Sequence, residues 1–307
     1  MDNRTLWELT TEAQRAIFPF YDPLFERFAD EHGLTQRGFS LLLAAPTFEP
    51  DAVTPERLRV RTPYTAAEAY QEELEAVARS GFFVDLLTGE FYLTPAAHAE
   101  ILNLIAAGRA LMTQADPLPP ADSARLASLA GRLARAALET PLKGGNWLAR
   151  LNYRLMPPPE PPLPYFEQAV SCLHAHRDDA HLAAWRPSKL AAATLETLTQ
   201  LWRGEADSLP AVYAKLEGRG HPVEIYAEAM EDLRARGFVE GPDSGPQVTE
   251  SGKSFREKIE KDTDRFFFAL WSSLAEAEKD EMAGLLARLR DELFAQKPCK
   301  GFETSKG

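Results

Sequence analysis

The sequence predicts a mainly α-helical fold in which one module is written twice, each copy carrying a small β-hairpin. Three observations predict it: a self-match at one fixed offset, a proline-rich seam, and the same order of elements on both sides of that seam. Shifted by 156 residues, AEAYQEELEAVARSGFF (67–83) falls on VEIYAEAMEDLRARGFV (223–239). Glu68 meets Glu224, Tyr70 meets Tyr226, Leu74 meets Met230, Val77 meets Leu233, and Gly81-Phe82 meets Gly237-Phe238. Upstream, Leu34 pairs with Leu190, Leu42 with Leu198, Glu49 with Glu205 and Asp51 with Asp207. After a one-residue slip near Thr94 and Thr249, Leu118, Leu126, Leu129 and Leu133 meet Leu274, Met282, Leu285 and Leu289. The matched apolar positions keep helical spacing, so both copies bury the same faces.

The seam is MPPPEPPLP (156–164), whose six prolines deny the backbone helical hydrogen bonds and favour extended geometry. It divides the chain into a first repeat (1–155), a linker (156–164), a second repeat (165–296) and a polar tail (297–307) expected to fray.

Within each copy a long helix (about 10–31; 165–186) comes first and stops near Gly33 or Pro187. A second helix follows (36–45; 189–203), then a short one after Thr54 or Ser208, both good N-cap residues. The next ends at Gly81 or Gly237, where glycine supplies the left-handed C-cap. FFVDLLTGEFYLT then reads as two short strands around Gly89, and FVEGPDSGPQVT as the same hairpin with a Gly/Pro-rich turn. Thr94 and Thr249 start a further helix, and amphipathic helices at 121–138 and 275–295 close the copies.

Helix, helix, helix, hairpin, helix is the order of a winged helix-turn-helix. The stretch VTESGKSFREKIEKDTDRFFFALWSSLAEAE (248–278) resembles the end of a MarR-type winged helix, where a wing strand runs into T-x-x-G and a long helix. The second repeat also resembles an actinobacterial helix-turn-helix family that includes the SalK-like proteins. That likeness rests on Arg177, Asp179, Ala180, His181, Ala183 and Ala184 ahead of the winged helix, and on Ile259, Glu260, Thr263 and Asp264 behind it. It covers about 173–292, reaching the first repeat only through the duplication. MarR-type proteins are dimers whose terminal helices pack together, so the resemblance implies two fused halves forming a pseudo-dimer within one chain. It implies a transcriptional regulator more than an enzyme; the alternatives are a small-molecule-binding protein or enzyme that uses the His/Asp/Arg face of the helix 165–186, and an interaction scaffold whose acidic helices dock a basic partner.

Charge pulls against ordinary DNA reading. The chain carries 34 basic and 46 acidic residues, net −12, which repels polyanions unless basic side chains are segregated. In a helix-turn-helix the second helix enters the major groove, and arginine or lysine supplies most of the affinity. The corresponding segments are acidic: 66–80 sums to −3 and 222–236 to −2. The densest basic run is ERLRVR (56–61), where Arg57, Arg59 and Arg61 are the candidate DNA contacts; a solvated connection between helices is the alternative.

The other candidate site is LHAHRDDAHLAAW (173–185). At 100° per residue His174, Asp178, His181 and Trp185 share a helix face, with Arg177 at its border and His176 turned away. These residues could bind a small molecule, with Asp178 and His181 pairing, or supply two imidazoles and a carboxylate to a metal. In the first copy His174, His176 and His181 are matched by Phe18, Phe20 and Phe25, which makes plain packing of planar side chains the third reading. If the halves enclose a groove, its walls are chemically unequal. No cofactor is implied.

Weaker signals are assigned to structure. Lys143-Gly144-Gly145-Asn146-Trp147 reads as a connector, Tyr70 and Tyr226 as core aromatics with a polar tip, and RFFFALW (265–271) as buried between helices. No nucleophile triad, zinc-protease, phosphate-loop or dinucleotide motif occurs. The polar N-terminal stretch, the absence of a long apolar run and two distant cysteines predict a cytoplasmic protein with no membrane partner.

Overall fold

The computed structural model describes residues 1–87 and 89–296, except for the side chains of Arg61 and Leu87. The expected tail at 297–307 therefore lies outside the described residues. Among them are 14 α-helices and two two-stranded antiparallel sheets.

The first long helix is not continuous. In place of one helix over 10–31 the chain forms α1 (Asn3–Arg15), a 3₁₀ turn (Phe18–Phe20) and α2 (Asp22–Glu31). Pro19 and Pro23 lack the N–H groups that an unbroken ladder needs, and each sits instead in the first turn of a new helix. Next come α3 (Gln36–Ala44), α4 (Pro55–Arg61) and α5 (Ala67–Arg79), with α3 and α4 capped by Thr35 and Thr54. Strands β1 (Phe83–Leu87) and β2 (Glu90–Leu93) form the first hairpin. Val53 bridges to Phe91 and extends it by one antiparallel pair.

Three helices then cross between the two winged parts: α6 (Pro95–Ala115), α7 (Pro120–Glu139) and α8 (Trp147–Tyr153). The proline run ends earlier than expected, because α9 (Pro162–Trp185) begins inside it. First-turn N–H groups have no acceptor within a helix, so Pro162 and Pro164 sacrifice nothing there. The second set is α10 (Ala192–Trp202), α11 (Leu209–Leu216), α12 (Val223–Ala235), β3 (Val239–Glu240) and β4 (Gln247–Val248). It ends in α13 (Glu250–Phe268) and α14 (Glu276–Ala295). Gly81 and Gly237 hold φ +84° and +69° after α5 and α12, the expected left-handed caps.

Three larger apolar cores follow this order, beside a small one around Trp185. A central one joins α1, α7, the first half of α9, and α14, through Leu6, Leu129, Phe166, Trp271 and Leu289. Each winged set has its own, around Tyr70, Leu74 and Phe91 in the first and Tyr226, Met230 and Leu233 in the second. Tyr226 donates to the Leu216 carbonyl at 3.2 Å, giving a buried phenol its partner. Sixteen of the 24 residues of α9 are buried, which makes it the axis of the molecule rather than a surface helix. It passes α7 so closely that a Cβ on Gly131 would lie 2.6 Å from the Tyr165 ring.

Several contacts join residues about 156 apart. Arg125 clamps Glu281 with Nε and Nη2, at 2.7 to 3.1 Å, where α7 meets α14. Gln14 of α1 donates to Ser171 of α9 at 3.0 Å. Ahead of α5 and α12, His221 Nε2 lies 3.1 Å from the Tyr64 carbonyl, and the Ala66 N–H donates to the Arg219 carbonyl at 2.9 Å.

Candidate functional site

The polar stripe of α9 opens into a cavity of about 470 Å³. The helix contributes His174, Arg177, Asp178 and His181; α10 adds Glu196, Thr199 and Gln200; α13 adds Arg256, Glu260 and Thr263. Tyr64 reaches in from the loop before α5, and Arg219 from the turn before α12. Four of the five α9 residues singled out from sequence are thus gathered on one wall. Trp185 is not among them: it is 5% exposed and packs in a small core with Leu148, Leu195 and Ile259. Helical spacing gave its direction, but the helix's apolar end turns that direction into core.

His181 is held at both nitrogens. Thr263 donates its hydroxyl to the Ile259 carbonyl at 2.8 Å, so its oxygen accepts from His181 Nδ1–H at 3.3 Å. Nε2 then accepts from the Tyr64 hydroxyl at 3.0 Å, which assigns the neutral tautomer. Burial, then Arg256 nearby, pushes this imidazole down to about 4. Burial likewise raises the Tyr64 phenol well above its usual range, so it stays a donor. Asp178 lines the same cavity.

His174 sits with its ring 4.6 Å from that of Trp7, and burial followed by Arg15 and Arg177 lowers it to about 4. His176 is fully buried, and neither ring nitrogen has a hydrogen-bond partner. Its ring lies 6.2 Å from Phe267, and burial lowers it too to about 4. This histidine is thus packed as a planar ring. Among the described residues, no three His, Cys, Asp or Glu side chains are placed to hold a metal ion together.

The cations are organised by carboxylates. Arg219 directs Nε and Nη2 onto Glu196 Oε1, at 3.0 and 2.6 Å, and lies over the Tyr64 ring at 5.6 Å. Arg256 is 3% exposed, stacks 5.1 Å from Trp202, donates to Thr199 at 2.9 Å, and has Nη1 2.6 Å from Glu260. Arg177 reaches Asp264 at 3.4 Å and Glu260 at 4.0 Å. Arg256 at a buried helical position is the signal that sequence reading passed over. The corresponding place in α6 is Ile101, at an offset of 155 rather than 156 after the hairpins.

The same offsets expose a contrast. Arg177, His181, Thr199 and Glu260 correspond to Tyr21, Phe25, Leu43 and Ile105, four residues that line a second cavity of about 170 Å³ in the first half. Phe25 packs on Gly108, where an added Cβ would meet its ring at 3.1 Å, as His181 packs on Thr263. At these offsets Arg, His, Thr and Glu stand against Tyr, Phe, Leu and Ile.

Asp179, also singled out, belongs elsewhere. It is 4% exposed and accepts from the Leu148 and Ala149 N–H groups at 3.1 and 3.0 Å, capping α8 from a neighbouring helix. Desolvation raises it to about 6 against those two bonds.

The basic run ERLRVR lies in α4, not in a loop. Arg57 turns back onto its own chain, donating to the Ala52 carbonyl at 2.8 Å and facing Asp51 at 3.4 Å. Arg59 is exposed, and the side chain of Arg61 lies outside the described residues. On α5 and α12 the exposed side chains include Glu68, Glu72 and Glu75, and Glu224, Glu228 and Glu231. No helix among the described residues is long and apolar enough to cross a membrane.

No curated protein and no solved structure matches the chain. A helix-turn-helix family is matched over residues 92–300, from the second strand of the first hairpin through the whole second winged set. That span covers more than half of the sequence and includes α9, α10 and α13, the helices that build the cavity; the chain belongs to this helix-turn-helix family.

Proposed function

We propose that the chain is a regulatory protein of the helix-turn-helix type, a fused pseudo-dimer whose polar cavity binds a small molecule and thereby sets the relation of its two winged halves. The pseudo-dimer is supported by Arg125–Glu281, Gln14–Ser171 and Tyr64–His221, which bring near-equivalent residues together as a two-fold axis does. Domain limits of 1–155 and 165–296 fit that arrangement, with the central helices as its shared interface.

The observation that carries the ligand reading is the double duty of Tyr64 and Arg219. Both line the cavity, and their backbones form the junction between the loop before α5 and the turn before α12. A ligand that shifts either side chain works directly on that junction. Effector and conformation are then coupled by contacts rather than by distance.

The junction also bears on DNA. Helix-turn-helix dimers place equivalent N-terminal ends of their recognition helices about 34 Å apart, one DNA turn. Here the residues just ahead of α5 and α12 touch, and Thr65 and Ala66 are 3% exposed. Groove reading by both helices together is not available to this arrangement, and the glutamates on both add repulsion.

Two measurements test the reading. A compound library read by thermal shift is expected to yield hits that vanish in His181→Phe, a substitution that brings in the aromatic side chain of position 25. Hits that persist unchanged in that variant overturn the cavity as the site. In gel shifts with duplex DNA at physiological salt, weak and sequence-independent binding is expected; nanomolar recognition of a palindrome with half-sites one turn apart overturns the DNA part.

A further inference from the structure

The cavity described above is the first of three that share lining residues along α9. Two more cavities follow it along α9, of about 370 and about 170 Å³. The first shares His174 and Asp178 with the polar cavity, and the second shares Asn152 and Ser171 with the first. Glu167, Ser171, His174, Asp178 and His181, which line one or two of these cavities each, form one helical stripe spaced three or four residues apart. From Glu167 to His181 that stripe is about 20 Å long at 1.5 Å per residue.

Chemistry changes in order along it. At the His181 end four arginines, Arg177, Arg203, Arg219 and Arg256, line the cavity with Asp178, Glu196 and Glu260, and each has a carboxylate neighbour: Asp264 and Glu260 for Arg177, Glu205 for Arg203, Glu196 for Arg219 and Glu260 for Arg256. Arg177, Arg203 and Arg219 keep 31%, 50% and 37% of their side chains exposed, with Nη1 of Arg177 itself buried. The middle is lined by the hydroxyls of Thr11 and Ser171 and the amides of Gln14 and Asn152, with Arg15 and Phe18 at its edge. The far end is walled by Tyr21, Phe25, Leu43, Ile105, Met112 and Leu155. Its two charged groups are occupied with neighbours: Arg109 donates to the Leu155 carbonyl, and Glu167 accepts from Gln14 and Ser171, each at 3.1 Å.

We propose that the three cavities form one trough that binds one elongated amphiphile, an oxyanion-headed acyl amide, with its head among the arginines, its amide chain beside Asn152 and Ser171, and a short acyl tail against Phe25 and Ile105. This deepens the small-molecule reading above and rests on it. A planar oxyanion suits guanidinium forks, amides suit a neck of hydroxyls and carboxamides, and an alkyl end suits the aromatic-aliphatic wall. The tail is short: 170 Å³ holds about six heavy atoms at roughly 30 Å³ each.

Calorimetry with the full chain tests this using N-hexanoyl-triglycine (carboxylate head) and S-hexanoyl-4′-phosphopantetheine (phosphate head), which separate the two oxyanions. The hexanoyl compound of at least one pair is expected to bind about tenfold or more tighter than its acetyl counterpart, as added buried methylenes should provide. A palmitoyl tail is expected to lose that gain, and hexanoate or inorganic phosphate alone to bind far more weakly. Leu43→Trp, which fills the tail end, is expected to abolish the hexanoyl preference while leaving acetyl-compound binding intact; the chain-length series on the unaltered protein decides the matter if that variant does not fold. Equal binding of acetyl, hexanoyl and palmitoyl compounds overturns the trough but leaves the head cavity standing. No binding of any compound at millimolar concentration overturns the ligand class, while library hits lost in His181→Phe would still uphold the cavity.

Discussion

Tyr64 and His181 lie 117 residues apart in sequence, and the Tyr64 hydroxyl donates to His181 Nε2 at 3.0 Å. The bond ties the loop before α5 to the central helix and closes one wall of the cavity. With Nδ1–H donated to Thr263 and Nε2 accepting from Tyr64, the imidazole is neutral and fixed in orientation. Tyr64→Phe is expected to cost about 1 kcal/mol, the loss of one hydrogen bond with a half-buried acceptor left over. Paired with His181→Phe in a double-mutant cycle, it should show a coupling of about 0.5–1.5 kcal/mol. Additive denaturant-melt energies would mean that the bond contributes nothing.

His176 gives a prediction of opposite sign. Its two unpartnered nitrogens are buried, and Phe occupies the corresponding position 20. His176→Phe is expected to stabilise the protein by about 1 kcal/mol at pH 7.5, since an unsatisfied polar group is removed at nearly constant shape.

Acid sensitivity follows from the same three imidazoles. His174, His176 and His181 each fall to about 4 in the folded protein, against about 6.5 in an unfolded chain. As pH drops through 6.5 the unfolded state takes up protons that the folded state refuses, so stability falls between about 6.5 and 4 and levels off below. Denaturant melts across that range should show the fall, with a shallower slope in His176→Phe. A flat profile from 7 to 5 would contradict it.

Asp179 should be costly to remove. Asp179→Ala leaves the Leu148 and Ala149 N–H groups buried without acceptors and is expected to cost about 3 kcal/mol. Asp179→Asn keeps one carbonyl oxygen and should cost about half as much. Thermal melts of the two variants give the ranking, and equal losses would show that the capping is not what matters.

The junction can be weighed with two glycines. Gly220 has φ +74°, and an added Cβ would lie 2.5 Å from the Ala69 Cβ; Gly204 has φ +69° and open space around it. Gly204→Ala carries backbone strain alone, about 1 kcal/mol. Gly220→Ala adds the clash across the junction and should destabilise by about 1–2 kcal/mol more. Identical melting shifts would mean that the two winged sets separate readily.

The sequence by itself determined the order of elements, their caps and the hairpins, because each is set by local periodicity and by Thr, Ser, Gly and Pro at fixed places. It also placed His174, Arg177, Asp178 and His181 on one face, since 100° per residue is a property of the helix alone. The breaks at Pro19 and Pro23 are written in the letters too, beneath an apolar periodicity that runs unbroken across 10–31.

Only the tertiary structure decided what that face meets. Trp185 has the right direction but ends in a core, whereas Tyr64, Arg219 and Arg256 come from segments whose spacing says nothing about α9. Convergence of distant segments is fixed by how helices pack, and packing is a sum over the whole chain that no local pattern contains. The same holds for the ends of α5 and α12: their acidity was visible in the letters, their mutual contact was not.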